Sequence, residues 1–281
     1  MRTDVFTGSG EDMNSRRRTM YYSKFDQLIV ALKKSDKVKK VAVISAEDEH
    51  SLEAVLRAER DGLVEPVLIG DRAKIEGILS SLGGGRKDIV PAGSVSEAAE
   101  AGVRLVNEGK ADFLMKGKLD TKDLMQAVVN KKTGLNEGNL MSHFAIHELP
   151  WYDRLLVTTD GGMTMYPNLE QKAAIIQNSV DALVAMGYDR PNVAVLCAVE
   201  KVNDKMPETL DAKALKDMCE AGKIENALVE GPISFDLAVN AEKAKIKGYD
   251  SPVAGCADIL VAPNITAGNI LGKSLLETHG V

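Results

Sequence analysis

Along most of this chain, short runs of apolar residues alternate with longer stretches in which apolar positions recur every three or four residues. Val41-Ala42-Val43-Ile44, Val67-Leu68-Ile69, Ile89-Val90 and Asp112-Phe113-Leu114-Met115 read as strands. Between them, Phe25, Leu28, Ile29 and Leu32 share one helical face, as do Leu52, Val55 and Leu56, and then Ile75 and Leu79. Two further helices are predicted from about Val95 to Asn107 and from Thr121 to Val129. Strands of this length alternating with amphipathic helices predict right-handed βαβ units and a parallel sheet.

The stretch from Lys131 to Asn139 is polar and contains Gly134 and Gly138, which predicts a hinge. Beyond it, Met141 to His147 and Leu155 to Thr159 read as strands. A long helix is predicted from Asn168, with Gln171 as its capping-box partner and Ile175, Ile176, Val180, Leu183 and Val184 as its apolar stripe. Val193-Ala194-Val195-Leu196 reads as a strand, Asp211 to Ala221 as a helix and Ala227-Leu228-Val229 as a strand. Last comes the strand Ile259-Leu260-Val261-Ala262, a turn from Pro263 to Asn269, and a helix opening at Ile270. The expected organisation is α/β with two domains. Residues 1–20 are expected to form a disordered leader, 21–138 plus 264–281 the first α/β domain, and 139–263 the second.

Composition narrows the function. Only 4% of the 281 residues are aromatic and the net charge is -6, which argues against nucleic-acid readers and a general polyanion-binding surface. An anionic ligand must then be held by local lysines and helix N-termini. The cysteines, Cys197, Cys219 and Cys256, are scattered, so neither a disulfide framework nor a zinc site is expected. No run reaches eighteen apolar residues and no signal-peptide core is present, so a cytoplasmic protein without a membrane anchor is expected.

Several turns carry candidate chemistry. Lys116-Gly117-Lys118 ends a strand just before Asp120-Thr121 opens a helix, which suits either a phosphate site or an ordinary turn with surface lysines. Ala267-Gly268-Asn269-Ile270-Leu271-Gly272-Lys273-Ser274 satisfies a relaxed P-loop pattern. A nucleotide hydrolase, however, places most of its sheet and its metal-binding aspartate after such a loop, and seven residues follow Ser274. His143 and His147 stand four apart, roughly 13 Å in a strand and too far to share a metal, so they read as hydrogen-bonding residues with no metal expected. Ser142 is a candidate for a ligand hydrogen bond. Asp160-Gly161-Gly162 allows close backbone approach after a strand, and Asp236 stands in the first turn of a helix, as a catalytic acid or a dipole-matching one.

Taken in order, these segments resemble the phosphate acetyl/butyryltransferase family, and its butyryl branch more. The matching pieces are Ala111 to Gly117 with Thr121, Leu140-Met141-Ser142-His143, Thr159-Asp160, Pro167 to Lys172, Glu200-Lys201-Val202-Asn203, Glu230-Gly231-Pro232 with Phe235-Asp236, and Gly268-Asn269-Ile270 with Lys273. The resemblance implies two α/β domains of the isocitrate/isopropylmalate dehydrogenase-like kind with a cleft between them. It implies reversible transfer of a short acyl group between coenzyme A and phosphate, with coenzyme A as substrate and no resident cofactor. It also implies a homo-oligomer. By position, Lys116, Gly117, Lys118, Thr121 and Ser142 would line the phosphate and CoA site, with Gly268, Asn269 and Lys273. The family pattern continues past the Gly-Asn-Ile helix into a strand and a Ser-Arg-x-Asp type segment tied to phosphate binding and the general base. The sequence has no such segment, so Asp236 and Asp160 are the candidates for the base, with Ser142 beside them as a catalytic candidate. The first sheet is expected to leave an edge that a partner subunit covers. A CoA- or acyl-phosphate-binding homologue without turnover is the second reading, and a P-loop nucleotide binder the third.

Overall fold

The computed structural model describes residues 21–34, 37–136 and 138–278. The leader expected over residues 1–20 lies outside the described residues. Contacts group the chain into two units, one from Tyr22 to Met141 and one from Ser142 onward that also takes in Tyr21. They are the N-terminal and C-terminal units below.

The N-terminal unit runs α1 (Phe25–Leu32), β1 (Lys39–Ile44), α2 (Glu49–Arg60), β2 (Val64–Gly70), α3 (Arg72–Leu82), β3 (Asp88–Pro91), α4 (Val95–Asn107), β4 (Phe113–Lys116) and α5 (Thr121–Val128). Its four strands are all parallel, in the order β3-β2-β1-β4. The pleat sends alternate residues of β1 to opposite faces. Val41 and Val43 join Leu52, Val55, Ile75 and Leu79 on the face covered by α2 and α3. Ala42 and Ile44 join Ala98, Ala101 and Leu119 on the other face. Both faces are thus apolar, as a parallel sheet between helix layers requires. Gly102 lets α4 lie close to the sheet, because a Cβ there would fall 2.8 Å from Ile44 Cδ1. Among the described residues β3 and β4 are the sheet edges.

The C-terminal unit runs β5 (Ala145–His147), β6 (Leu156–Thr159), α6 (Leu169–Ala185), β7 (Asn192–Leu196), α7 (Pro207–Glu220), β8 (Leu228–Ile233), α8 (Phe235–Val239), α9 (Ala241–Ile246), β9 (Ile259–Val261) and α10 (Ile265–Glu277). The sheet order is β5-β6-β9-β7-β8, with β5 antiparallel to β6 and the other pairs parallel. The last strand of the sequence is therefore the middle strand of the sheet. After β9 the chain turns into α10, which packs on β5 and β6, whereas the chain after β6 enters α6, which packs towards α7. Neighbouring strands that send their chains in opposite directions form a switch point, where open α/β sheets bind ligands at the strands' carboxyl ends.

Two expectations differ from the structure. Residues 264–278, expected with the first domain as part of 264–281, group with the C-terminal unit instead, because α10 rests on β5 and β6. Further, α10 opens at Ile265, with the Asn264 side chain accepting from Ala267 N, so the helix includes the whole P-loop-like stretch. No loop remains there to wrap a nucleotide phosphate.

Candidate functional site

In the N-terminal unit, the turn after β4 continues the pairing with β1. Gly117 N donates to the Ile44 carbonyl at 2.8 Å and Lys118 N to the Ser45 carbonyl at 2.9 Å. This leaves no room for a side chain at position 117, where a Cβ would collide with the Ser45 carbonyl and sit 2.6 Å from that of Ile44. Lys116 folds over its own turn and donates from Nζ to the Leu119 carbonyl at 2.7 Å. Lys118 instead lines a depression of about 510 Å³ with Ser45, Glu47, Asp71, Lys74 and Ser94. Thr121 is the first, exposed residue of α5, and Asp120 before it makes no side-chain capping bond. The depression gathers the turns after β1, β2 and β3, and the sequence reading missed all of it but Lys118. Its signal was a polar residue soon after each strand: Ser45 and Asp71 directly, and Ser94 three residues beyond Pro91.

In the C-terminal unit the candidates converge on the switch point. The Asp160 carboxylate is buried and accepts from Gly162 N, Met163 N and Thr164 N at 2.8, 2.9 and 3.0 Å. Those three bonds curl the turn after β6 and occupy two acceptor positions of Oδ1 and one of Oδ2. Gly161 of that turn meets α10 at Gly268, and a Cβ on Gly268 would lie 2.5 Å from the Asp160 carbonyl. The Gly268 N–H is used inside the helix, bonded to the Asn264 carbonyl. It is therefore not a donor to a ligand. The Asn269 amide donates to the Gly161 carbonyl at 3.2 Å. Lys273 is exposed one helical turn further along the same face. Ser142 Oγ accepts from Asn178 Nδ2 of α6 at 3.0 Å, while the next side chain, His143, rests on Gly162.

Asp236 lies elsewhere in the unit, at the start of α8. Ser234 Oγ stands 2.8 Å from Asp236 Oδ1 and 2.6 Å from Glu200 Oε1, and Lys247 pairs with both carboxylates. The Ser234 hydroxyl and then Lys247 hold the Asp236 carboxyl below its ordinary range. That favours a charge anchor over a proton acceptor near neutrality. Among the described residues no three His, Cys, Asp or Glu side chains are grouped to hold a metal.

His147 is buried on β5, with Nε2 2.9 Å from Thr158 Oγ1 and Nδ1 unpaired. Burial, and then His143, hold its pKa below the ordinary value. A depressed folded pKa means that the unfolded chain binds the proton more readily. Its stabilising share is present above the unfolded value of about 6.5 and is lost as pH falls through the folded one. Between about pH 7.5 and about pH 5 the melting temperature should fall more steeply for the wild type than for His147→Gln. Parallel slopes in scanning calorimetry would show that His147 does not drive the loss.

The fold and these turns define an α/β protein that presents lysines and helix starts at the carboxyl ends of parallel strands, as anion-binding proteins do. The model of the phosphate acetyl/butaryl transferase family matches residues 87–280, and the chain belongs to that family. It is 43% identical over 256 residues to a phosphate butyryltransferase of Clostridium acetobutylicum, covering 90% of this chain and 85% of that one. It is 41% identical over 255 residues to a phosphate acetyltransferase of Rhizobium meliloti, covering 90% and 80%. A branched-chain phosphotransacylase from Enterococcus faecalis has a similar structure, with a TM-score of 0.73 and 28% identity over 86% of this chain and 85% of that one.

Proposed function

We propose that this protein is a phosphate acyltransferase that moves a short acyl group reversibly between coenzyme A and inorganic phosphate, with butyryl the favoured group. The observation that carries the reading is the family match from residue 87 to 280, which spans the lysine turn after β4 and the turns at the β6/β9 switch point. The chemistry asks for little else. Two anionic substrates must be held, a thiol deprotonated and an oxyanion stabilised at the acyl carbon. Lys118 and Lys273 supply positive charge, the start of α10 adds its dipole, and the Asn269 amide fixes the turn beside it. The reading includes an isocitrate/isopropylmalate dehydrogenase-like architecture, a homo-oligomer, a cytoplasmic location, and coenzyme A as substrate with no resident cofactor. Nothing observed favours a homologue without turnover.

The test is release of free thiol from butyryl-CoA and acetyl-CoA, followed with a thiol reagent with and without phosphate. Phosphate-dependent release is expected, faster with butyryl-CoA. No release above background, with CoA binding intact by calorimetry, would leave a binding protein instead.

A further inference from the structure

We propose that Asn178, on α6, is a positioning residue that sets the Ser142 hydroxyl as a hydrogen-bond donor to an oxygen of the phosphate substrate, a role resting on the acyltransferase reading. Asn178 itself touches no substrate. It acts by fixing which way the serine proton points.

A serine hydroxyl has one proton to give and two lone pairs to accept with. Asn178 Nδ2 donates to Ser142 Oγ at 3.0 Å, and no acceptor among the described residues takes the Ser142 proton. An amide N–H aimed at the oxygen repels the hydroxyl proton, which therefore points away from α6. The hydroxyl is left as a donor with its acceptor still to come. A phosphate oxygen suits it, because a bond to an anion is about twice as strong as one between neutral groups.

Ser142 stands at the ligand end of the sheet. β5 runs antiparallel to β6 with Ala145 opposite Thr158, so the residues just before β5 lie beside the turn that follows β6. Thr159 Oγ1 donates to the His143 carbonyl at 2.7 Å, and a Cβ on Gly162 would stand 3.1 Å from His143 Cγ and Cδ2. These contacts tie Ser142-His143 to the end of β6, at the switch point. Asn178 is fixed from the other side. It stands in the middle of the 17-residue α6, whose start is closed by the capping box of Asn168 and Gln171. Its neighbours Ile175, Ile176, Ser179 and Val180 are buried, and Ser179 Oγ donates to the Ile175 carbonyl at 3.1 Å. A helix held that firmly presents the amide with little freedom, whereas an unpaired serine would share its proton among about three staggered positions. The Asn178 side chain is exposed, so the bond adds little to folding and its value is orientation.

The experiment follows phosphate-dependent thiol release from butyryl-CoA by wild type, Ser142→Ala, Asn178→Ala, Asn178→Asp and the two double variants. Ser142→Ala should raise KM for phosphate about 10- to 10²-fold with a smaller change in kcat, the loss of one bond to an anion. Asn178→Ala lets the hydroxyl rotate and should raise KM about threefold. Asn178→Asp should cost nearly as much as Ser142→Ala, because a carboxylate only accepts and draws the Ser142 proton to itself. A bond that merely braced α6 would give the opposite order, since aspartate keeps the pairing and alanine loses it. In the Ser142→Ala background neither change at Asn178 should add more than about twofold. A Ser142→Ala enzyme within about twofold of wild type would overturn the role, as would an Asn178→Asp enzyme milder than Asn178→Ala. An equal cost of Asn178→Asp with and without the Ser142 hydroxyl would also overturn it, because the added charge alone would then account for the loss. If Asn178→Asp does not fold, the cycle with Asn178→Ala decides, and additive losses overturn the role. All these results leave the acyltransferase reading standing, whereas absence of wild-type turnover would overturn both together.

Discussion

Replacing Gly268 with alanine should destabilise the C-terminal unit and cut the phosphate-dependent rate at least about tenfold, although alanine is the better helix former by about 1 kcal/mol. The sign follows from what the new methyl group would meet. Its Cβ would lie 2.5 Å from the Asp160 carbonyl oxygen, 2.9 Å from Gly161 Cα and 3.1 Å from Ala262 Cβ. Two of these are backbone atoms, in a turn held by three bonds to the Asp160 carboxylate, so none can rotate aside. α10 would have to move off the sheet and give up the bond from Asn269 to Gly161. Overpacking of this kind costs about 1–3 kcal/mol, and misplacing a site by about 1 Å can cost 10²-fold in rate. Gly272 is the internal control. It lies one turn further along α10, and a Cβ there would meet Thr158 Oγ1 at 3.7 Å, an ordinary contact. Gly272→Ala should therefore stabilise, by about 0.5–1 kcal/mol. Urea titrations of the two variants should move in opposite directions. Shifts of the same sign would mean that helix propensity, not the approach of α10 to the turn, decides both.

The same stretch shows what a sequence can and cannot tell. The parallel βα alternation of the N-terminal unit was legible, because each strand of a sheet between two helix layers must be apolar on both faces. Val41 to Ile44 shows that directly. The capping box at Asn168 and Gln171 was legible too, being local. The middle position of β9 was not. A three-residue strand carries no mark of its neighbours, and its pairing with β6 and β7 is a matter of tertiary packing. The start of α10 was misplaced for a related reason. Pro263, Asn264 and Gly268 read as a turn, whereas Asn264 caps the helix and Gly268 is there for the backbone that crosses it. Of the site residues, Gly161 was legible as a close approach of backbones, which it makes to Gly268. The engagement of Asp160 by its own turn was hidden, since an aspartate after a strand looks alike whether its carboxylate is free or bonded.

The Asp258→Ala variant should lose about 3–5 kcal/mol, because it would strand a buried guanidinium. The Asp258 side chain is 1% exposed and that of Arg154 12%. Arg154 Nη1 donates to Asp258 Oδ1 at 3.2 Å, and Asn192 N donates to Oδ2 at 2.8 Å. Arg154 also donates to the Cys256 carbonyl, and the Tyr21 ring lies 4.3 Å from its guanidinium carbon. One carboxylate thus links the approach to β6, the first residue of β7 and the residue before β9, three neighbouring strands at their amino ends. Burial pushes the Asp258 carboxyl up while Arg154 pulls it down. The pair therefore resists either partner's removal more than it adds in total. Asp258→Asn keeps an acceptor for Asn192 N and should fall between wild type and Asp258→Ala. Replacing both members with apolar residues of similar size should cost far less than Asp258→Ala alone, since no charge is then left unpaired. The exposed bridge from Lys213 to Asp217, with side chains 51% and 54% accessible, gives the baseline. Asp217→Ala should shift stability by no more than about 0.5 kcal/mol. If Asp258→Ala cost no more than that, water would have to reach Arg154 once the carboxylate was gone, and the link between the three strands would rest on backbone pairing alone.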